Sequence, residues 1–138
     1  MKSSRGRSWS VGEVAERFGL PTNVLRHWES VGLLEPARDS AGRRRYVLDD
    51  VSRVAAIQRS KDAGMTLDQI AVLLDAGAPE RHAVLRAHLD DLDRRMEQMR
   101  ISKEMTEHAF SCRAHDISAC PGFQRHVSDL VAAFDPPA

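Results

Sequence analysis

Aromatic residues and cysteines are scarce in this sequence, and long apolar runs are absent. Aromatic residues make up 5% of the chain, and only two residues are cysteines. Two cysteines are too few for the disulfide framework of a small secreted domain. No apolar run approaches the length of a membrane span, and no charged segment followed by an apolar one marks a secretion signal. We therefore expect a cytoplasmic protein that does not bind a membrane, in which a close cysteine pair is typical of a metal or redox site.

The net charge is zero, but charge is divided unequally along the chain. Residues 1–62 contain 12 Lys and Arg against 8 Asp and Glu, net +4, and residues 63–138 contain 8 against 12, net −4. A chain of 138 residues can bury one modest core and is too short for most enzymes with separate cofactor and substrate domains. The basic half can attract phosphates, because the field near a binding face matters more than the total charge.

The pattern of residues 10–32 predicts two short helices joined by a tight turn. Ser10 and Glu13 form a capping box, and Gly19 can end the first helix. Thr22 is the candidate cap of the second helix, which Gly32 can end. The second helix has an apolar face of Val24, Leu25, Trp28 and Val31 and a polar face of Asn23, Arg26, His27 and Ser30. Such polar side chains reach phosphates and base edges when a helix enters the major groove of DNA.

The next segment predicts a basic hairpin. A turn-forming Asp-Ser-Ala-Gly run at residues 39–42 is flanked by four arginines and followed by Tyr46. The planar guanidinium of arginine binds phosphate oxygens through paired hydrogen bonds, and clustered arginines repel one another unless an anion lies between them. We interpret the hairpin as the wing of a DNA-binding head rather than a solvated loop, because it adjoins a helix-turn-helix pattern.

These motifs together resemble the MerR family of transcriptional regulators. The resemblance rests on Val-Gly-Glu-Val-Ala at residues 11–15, Leu-Arg-His-Trp-Glu at 25–29, Val-Gly-Leu-Leu at 31–34, Gly-Arg-Arg-Arg-Tyr at 42–46 and Gly-Met-Thr-Leu at 64–67. It covers nearly the whole chain up to a C-terminal loop. The resemblance implies a mainly α protein whose winged helix-turn-helix head binds double-stranded promoter DNA, and it implies no enzymatic activity.

The resemblance also implies roles for particular residues. In the family, an arginine and an aromatic residue of the recognition helix and an arginine and a tyrosine of the wing grip the DNA backbone. These roles fall on Arg26, Trp28, Arg44 and Tyr46, while His27 stands where many members carry an aromatic residue. Together with the polar helix face, the predicted DNA-binding residues are Asn23, Arg26, His27, Trp28, Arg43, Arg44, Arg45 and Tyr46.

Two further helices are expected to pack under the head. Asp49 or Asp50 can cap the first, which ends near Gly64. Thr66 opens a second capping box, and Gly77 can end the second helix. Both helices carry apolar residues at helical spacing, so they can complete one small core.

The longest predicted element follows Pro79, which suits the first turn of a helix. No glycine or proline interrupts residues 80–109, and apolar residues at alternating three- and four-residue steps form a narrow coiled-coil seam of Leu85, Leu89, Leu92, Met96 and Met99. A helix this long cannot bury that seam within its own small chain, so we expect a homodimer. The alternative is a helix folded back on its own head, and the resemblance implies an antiparallel pair.

Two cysteines mark a candidate metal site near the C-terminus. Seven residues, among them His115, separate Cys112 from Cys120. Thiolates are soft ligands of zinc and copper(I), and a histidine offers a nitrogen. The loop resembles that of copper- and zinc-sensing MerR members, which implies one ion per protomer. The two cysteines alone suit a two-coordinate monovalent ion, whereas His115, joined by His82 or His108, would complete a tetrahedral zinc site.

The sequence departs from the family's divalent-metal sensors in two ways. No cysteine lies at residues 80–83, near the start of the long helix, and that helix is about one heptad shorter. The predicted boundaries are a flexible basic tail at residues 1–8, a DNA-binding head at 9–77, a dimerisation helix at 79–110, and an effector-binding loop with a short C-terminal helix at 111–138.

Three functions stay open on these residues. The first is a metal-responsive regulator that binds a palindromic promoter and activates by distorting it, so that RNA polymerase is affected indirectly. The second is a regulator of the same fold that senses oxidants or electrophiles through the cysteine pair, or an organic ligand. The third, a small thiol enzyme, is disfavoured because no signature base accompanies either cysteine and the spacing is not that of a redox Cys-x-x-Cys motif.

Overall fold

The computed structural model of this chain describes residues 6–134. Most of the predicted basic tail (residues 1–5) and residues 135–138 lie outside the described residues. In chain order, the described part contains α1 (Val11–Phe18), α2 (Thr22–Ser30), β1 (Ala37–Arg38), β2 (Arg44–Arg45), α3 (Leu48–Asp62), α4 (Leu67–Leu74), α5 (Arg81–Ser111), a 3₁₀ turn (Ile117–Ala119), α6 (Pro121–Gln124) and α7 (Ser128–Ala132). The prediction of a mainly α protein is confirmed.

The chain divides into two compact units, one up to Arg86 and one from Ala87. The first unit has an apolar core that joins α1 and α2 to α3, α4 and the hairpin. Its buried residues are Val14, Ala15, Leu25, Trp28, Leu33, Leu34, Tyr46, Val54, Ile57, Met65 and Ile70. Burying side chains of this size stabilises by roughly 1.5–3 kcal/mol each, which is what holds such short helices in place.

Local capping chemistry fixes the start of two helices as predicted. Ser10 Oγ accepts from the backbone N–H of Glu13 at 3.2 Å, and Glu13 Oε1 accepts from the backbone N–H of Ser10 at 3.2 Å. Thr66 and Gln69 form the same reciprocal pair at the start of α4. Gly19 ends α1 with φ of 66°, a left-handed conformation that glycine adopts without strain.

Two predicted caps are wrong in detail. Pro21, rather than Thr22, precedes the first turn of α2, and its carbonyl accepts from the backbone N–H of Val24 at 3.1 Å. Val47 precedes α3, and Asp50 lies inside the first turn, where its Oδ2 accepts from the backbone N–H of Val47 at 2.8 Å. The carboxylate therefore reaches back to the helix start instead of occupying the cap position.

Helix α4 and helix α5 also have boundaries that differ from the prediction. Helix α4 ends at Leu74 because Asp75 leaves the helical conformation, and Asp75 Oδ1 accepts from the backbone N–H of Gly77 at 3.0 Å. Helix α5 begins at Arg81, so Pro79 lies in the preceding turn. Arg81 Nε donates to the Leu73 carbonyl at 3.0 Å, which links the two helices inside the first unit.

Helix α5 has 31 residues and contains no buried residue. Its seam side chains are open, with Met96 69% and Met99 70% exposed. Oppositely charged side chains three and four residues apart, such as Arg100 with Glu97 and Glu104, stabilise the helix surface. A long helix with an exposed apolar seam is consistent with a coiled coil.

The C-terminal segment forms two short helices, α6 and α7, where the sequence predicted one. Ser128 Oγ donates to the Arg125 carbonyl at 3.1 Å, a carbonyl that a continuing helix would use for its own ladder. Pro121 opens α6 at the first helical position, where its missing N–H is not needed. Among residues 6–134, no helix is both long and apolar enough to cross a membrane.

Candidate functional site

The outward face of α2 presents three of the predicted DNA-binding residues. Asn23, Arg26 and His27 are exposed. Trp28 lies on the opposite face and is only 4% exposed, in the core of the first unit. The structure therefore places Trp28 behind the polar face rather than on it, because the helical period sets it beside Leu25.

A carboxylate shapes the tip of the hairpin. Asp39 Oδ1 accepts from the backbone N–H groups of Ala41 and Arg43, both at 2.9 Å, and Gly42 has φ of 80°. The hydrogen bond from the Arg43 amide is the largest of the causes that lower the pKa of Asp39. The turn is therefore held in one conformation with the Arg43 side chain directed outward, 80% exposed.

The three consecutive arginines of the hairpin have different environments. Arg43 contacts only Asp39 among the charged groups described, at 3.5 Å between Nε and Oδ2. Arg44 Nε donates to Glu29 Oε2. Arg45 donates from Nε and Nη2 to Ser8 Oγ at 3.0 and 2.9 Å, and from Nη2 to the Ser8 carbonyl at 2.9 Å. One guanidinium is thus open to solvent while two are held by the protein.

Glu29 joins the hairpin to α2. Its Oε1 accepts from Arg38 Nη2 at 3.1 Å, and its Oε2 accepts from Arg44. One carboxylate therefore spans both strands and fixes the hairpin relative to the polar helix face. Glu29 lies within the family motif at residues 25–29, but no local pattern predicts its contact with Arg44 or the contact of Ser8 with Arg45, because these partners are 15 and 37 residues apart.

Tyr46 is fully buried at the base of the hairpin. Its backbone exchanges two hydrogen bonds with Trp9, both at 2.8 Å. Its hydroxyl has no hydrogen-bond partner in the part of the chain that the structure describes. Burial is the first cause that raises its pKa, and the charge of Glu29 is the second. A buried hydroxyl without a hydrogen-bond partner is uncommon in folded proteins.

In the second unit, three side chains that can ligate a metal ion converge at the end of α5. His108 Nε2 lies 3.2 Å from Cys120 Sγ, and Cys112 Sγ lies 3.7 Å from Cys120 Sγ. The ligand atoms of His108, Cys112 and Cys120 all lie within 4.8 Å of one another. Cys112 directly follows α5, and its backbone N–H donates to the His108 carbonyl at 2.8 Å, so the two side chains share one face of the helix end.

The surroundings of Cys120 stabilise its thiolate form. It lies at the start of α6, where the backbone N–H of Phe123 hydrogen-bonds the sulfur and His108 adds a second hydrogen bond. These contacts lower the pKa of Cys120 to about 6. The thiolate is the form of cysteine that binds metal ions, so this sulfur needs little proton release at neutral pH.

The structure does not bring His115 into this cluster. His115 is exposed in the loop, where Asp116 accepts from Ser118 and turns the chain into the 3₁₀ segment. His108, which the sequence offered only as an addition to His115, joins the two cysteines because α5 continues to Ser111 and keeps His108 in register with Cys112. His82 lies in the first turn of α5 and is not part of the cluster either.

A head with a recognition helix and a basic wing defines a winged helix-turn-helix DNA-binding regulator. Two family models match the chain: "MerR HTH family regulatory protein" over residues 9–77 and "MerR, DNA binding" over residues 51–107. The chain belongs to the MerR family, whose members are DNA-binding transcriptional regulators and not enzymes.

Relatives and solved structures agree with this assignment. A probable heavy metal-dependent transcriptional regulator of Haemophilus influenzae is 34% identical over 119 residues, covering 80% of this chain and 93% of that protein. The structure of PbrR691 from Ralstonia metallidurans CH34 in complex with lead(II) is 29% identical, with a TM-score of 0.52, covering 85% of this chain and 98% of that one. HiNmlR, a MerR family regulator solved bound to promoter DNA, shares the fold at 21% identity, with a TM-score of 0.65, covering 76% of this chain and 89% of that one.

Proposed function

We propose that this protein binds a palindromic promoter as a homodimer and activates transcription by distorting the DNA when a thiophilic metal ion binds at Cys112 and Cys120. The observation that carries the proposal is the 3.7 Å separation of the two sulfurs at the end of α5 in a MerR chain. Zinc and copper(I) are the ions that such a thiolate pair favours, with one site per protomer.

The polar face of α2 and the hairpin form the proposed DNA interface. Asn23, Arg26 and His27 are exposed on the helix that would enter the major groove, and Arg43 is the most open guanidinium of the hairpin. The hydrogen bond to Glu29 orients the Arg44 guanidinium beside the polar face of α2, so a phosphate would bind an oriented donor rather than a mobile one.

The buried aromatic residues would support the interface from behind. Trp28 fixes α2 through the core, so its role in binding is positional. The charges of Glu29, Arg44 and Arg26 all act on the Tyr46 hydroxyl, which supports a role for this hydroxyl near the proposed phosphate contact. A small shift of the arginines on binding would give this unpaired hydroxyl its partner.

The seam of α5 is the proposed dimer interface. Leu89, Met96 and Met99 are exposed, and Leu85 and Leu92 are partly exposed in the single chain. A second copy would bury this seam, as coiled coils do, and would place two heads on two half-sites of a palindrome. RNA polymerase would then respond to the shape of the promoter and need not touch the regulator.

The test is in vitro transcription with metal-free protein, to which zinc(II) or copper(I) is added. We expect Cys112→Ser and Cys120→Ser each to abolish the response to the ion. Operator affinity should stay within roughly a few-fold, about 1 kcal/mol, because neither cysteine lies in the head. A normal response in either variant would refute metal sensing at Cys112 and Cys120. Loss of operator binding would mean that the loop stabilises the DNA-binding head and does not regulate it.

A second function, oxidant sensing, is favoured by the same 3.7 Å separation. The two thiols could form a disulfide with peroxide as the oxidant, releasing two protons and two electrons and yielding two waters. Metal content after anaerobic purification separates the two functions. Stoichiometric zinc or copper supports metal sensing, whereas a metal-free protein that cycles between dithiol and disulfide supports oxidant sensing.

A further inference from the structure

The separations within the cluster are those of a compact metal site. With Zn–S bonds of about 2.3 Å and a Zn–N bond of about 2.05 Å, tetrahedral angles place two sulfurs about 3.8 Å apart and a sulfur and a nitrogen about 3.6 Å apart. The observed distances are 3.7 Å between the sulfurs of Cys112 and Cys120, and 3.2 Å from Cys120 Sγ to His108 Nε2. A linear two-coordinate ion at similar bond lengths needs its sulfurs about 4.6 Å apart.

Gly122 provides a second, independent observation. A Cβ at this position would overlap Cε1 of the His108 ring and lie 3.0 Å from Nε2 and 3.2 Å from Nδ1. Gly122 does not have a positive φ, so its backbone conformation alone does not call for glycine. Glycine inside a helix costs about 1 kcal/mol relative to alanine. The close approach of the imidazole is therefore the physical reason for a glycine here.

We propose that His108 is a metal ligand, so that His108, Cys112 and Cys120 form a three-ligand nitrogen and sulfur site for a divalent ion of the zinc class. The proposal rests on the proposed function, since it specifies the ligands and the ion of the same site. The fourth position is left to water or to His126, whose ring centre lies 6.2 Å from that of His108.

The ligand set determines which ion the protein distinguishes. Two thiolates satisfy a monovalent soft ion without help, so removing a nitrogen donor changes copper(I) binding little. Zinc takes four ligands in a tetrahedron and loses one of three protein ligands when the imidazole is removed. The histidine thus shifts selectivity towards divalent ions, and it does so from α5 rather than from the loop between the cysteines.

The experiment compares His108→Asn with the matched control His115→Asn in the full chain. Affinities for zinc(II) and copper(I) are measured separately by competition with chromophoric chelators, under anaerobic conditions. Because even changes beyond the ligand sphere cost 10–100-fold in affinity, we expect His108→Asn to weaken zinc binding by about 100-fold or more. Copper(I) affinity should stay within about three-fold of wild type, and His115→Asn should change neither value by more than about three-fold.

Gly122→Ala tests the geometry while keeping all three donor groups. It should weaken zinc binding and reduce the intense visible absorption that cobalt(II) shows in a tetrahedral thiolate site, with helix content in circular dichroism unchanged. Wild-type zinc affinity and cobalt spectra in both His108→Asn and Gly122→Ala would overturn the assignment of His108. Wild-type zinc and copper(I) affinity in Cys112→Ser and Cys120→Ser would instead overturn the proposed function, so the two failures are distinguishable.

Discussion

Arg43 is expected to contribute to DNA binding in a way that Arg45 does not. Arg43 is 80% exposed and pairs only with the half-buried turn carboxylate of Asp39, whereas Arg45 is held by three hydrogen bonds to Ser8. We predict that Arg43→Ala removes one phosphate contact from each half-site of a dimer. Arg45→Ala should remove none, although it carries away the same charge.

The salt dependence of binding gives the magnitude. Each phosphate neutralised contributes about −0.9 to the slope of log affinity against log salt concentration, so two contacts contribute about −1.8. Between 50 and 200 mM salt, wild-type affinity should therefore fall about 12-fold further than that of Arg43→Ala. Arg45→Ala should keep the wild-type slope and instead lower the free energy of unfolding by about 1–3 kcal/mol, because it loses hydrogen bonds from a charged donor.

The assay is fluorescence anisotropy on a labelled duplex that the protein selects from a random-sequence pool, repeated at several salt concentrations. Urea unfolding of each variant confirms that the head is folded under the binding conditions. An unchanged slope in Arg43→Ala, or an equal change in both variants, would refute the reasoning. In that case the hydrogen bonds seen in the free protein would not decide which guanidinium reaches the DNA.

Three further predictions concern the seam, the thiol and the buried tyrosine. Leu92→Glu should convert the dimer to a monomer in sedimentation at micromolar concentration, because an unpaired buried charge costs several kcal/mol. The control Asp93→Ala should stay dimeric, and a monomeric wild type would contradict the proposal that the seam is a dimer interface. In metal-free protein, the rate at which iodoacetamide alkylates Cys120, measured by peptide mass spectrometry, should rise with pH through a midpoint near 6, because the pKa of Cys120 is lowered to about 6. A midpoint near 8.5 would show an ordinary thiol. Tyr46→Phe should not lower the urea midpoint, because the hydroxyl has no partner among the described residues. It should weaken operator binding about five-fold, or about 1 kcal/mol. A loss of stability would show that the hydroxyl is hydrogen-bonded in the free protein.

Local motifs were the part of this fold that the sequence determined most directly. The capping boxes at Ser10 and Thr66 depend on residues three apart, and both form as predicted. Helical periodicity also placed Trp28 on the apolar face of α2, where the structure buries it. The DNA contact that the family resemblance implies for Trp28 stays a prediction. Because Trp28 is buried, we expect it to act on DNA binding by positioning α2.

The contacts that sequence reasoning missed join residues far apart in the chain. Glu29 meets Arg44 and Ser8 meets Arg45 because the hairpin folds against α2 and the N-terminal segment, and no fixed spacing announces either pair. His108 is a different case. Its four-residue spacing from Cys112 is visible in the sequence. That spacing brings the two side chains together only if α5 continues to Ser111, directly before Cys112, and the end of a helix is the part that sequence predicts least well.

Contacts within the protein itself hold the cluster together, and this limits how a bound ion can act. His108 and Cys112 both hydrogen-bond Cys120 Sγ, and the Ala114 N–H donates to Cys112 Sγ at 3.4 Å. Little binding free energy is then spent on ordering the loop, which favours high affinity. For the same reason, the structural change on binding must be small. A small change can bias the promoter only as far as the ion prefers the protein conformation that accompanies distorted DNA. A 100-fold activation therefore requires about 2.7 kcal/mol of such preference, and by reciprocity the distorted promoter must raise the affinity for the ion by the same factor.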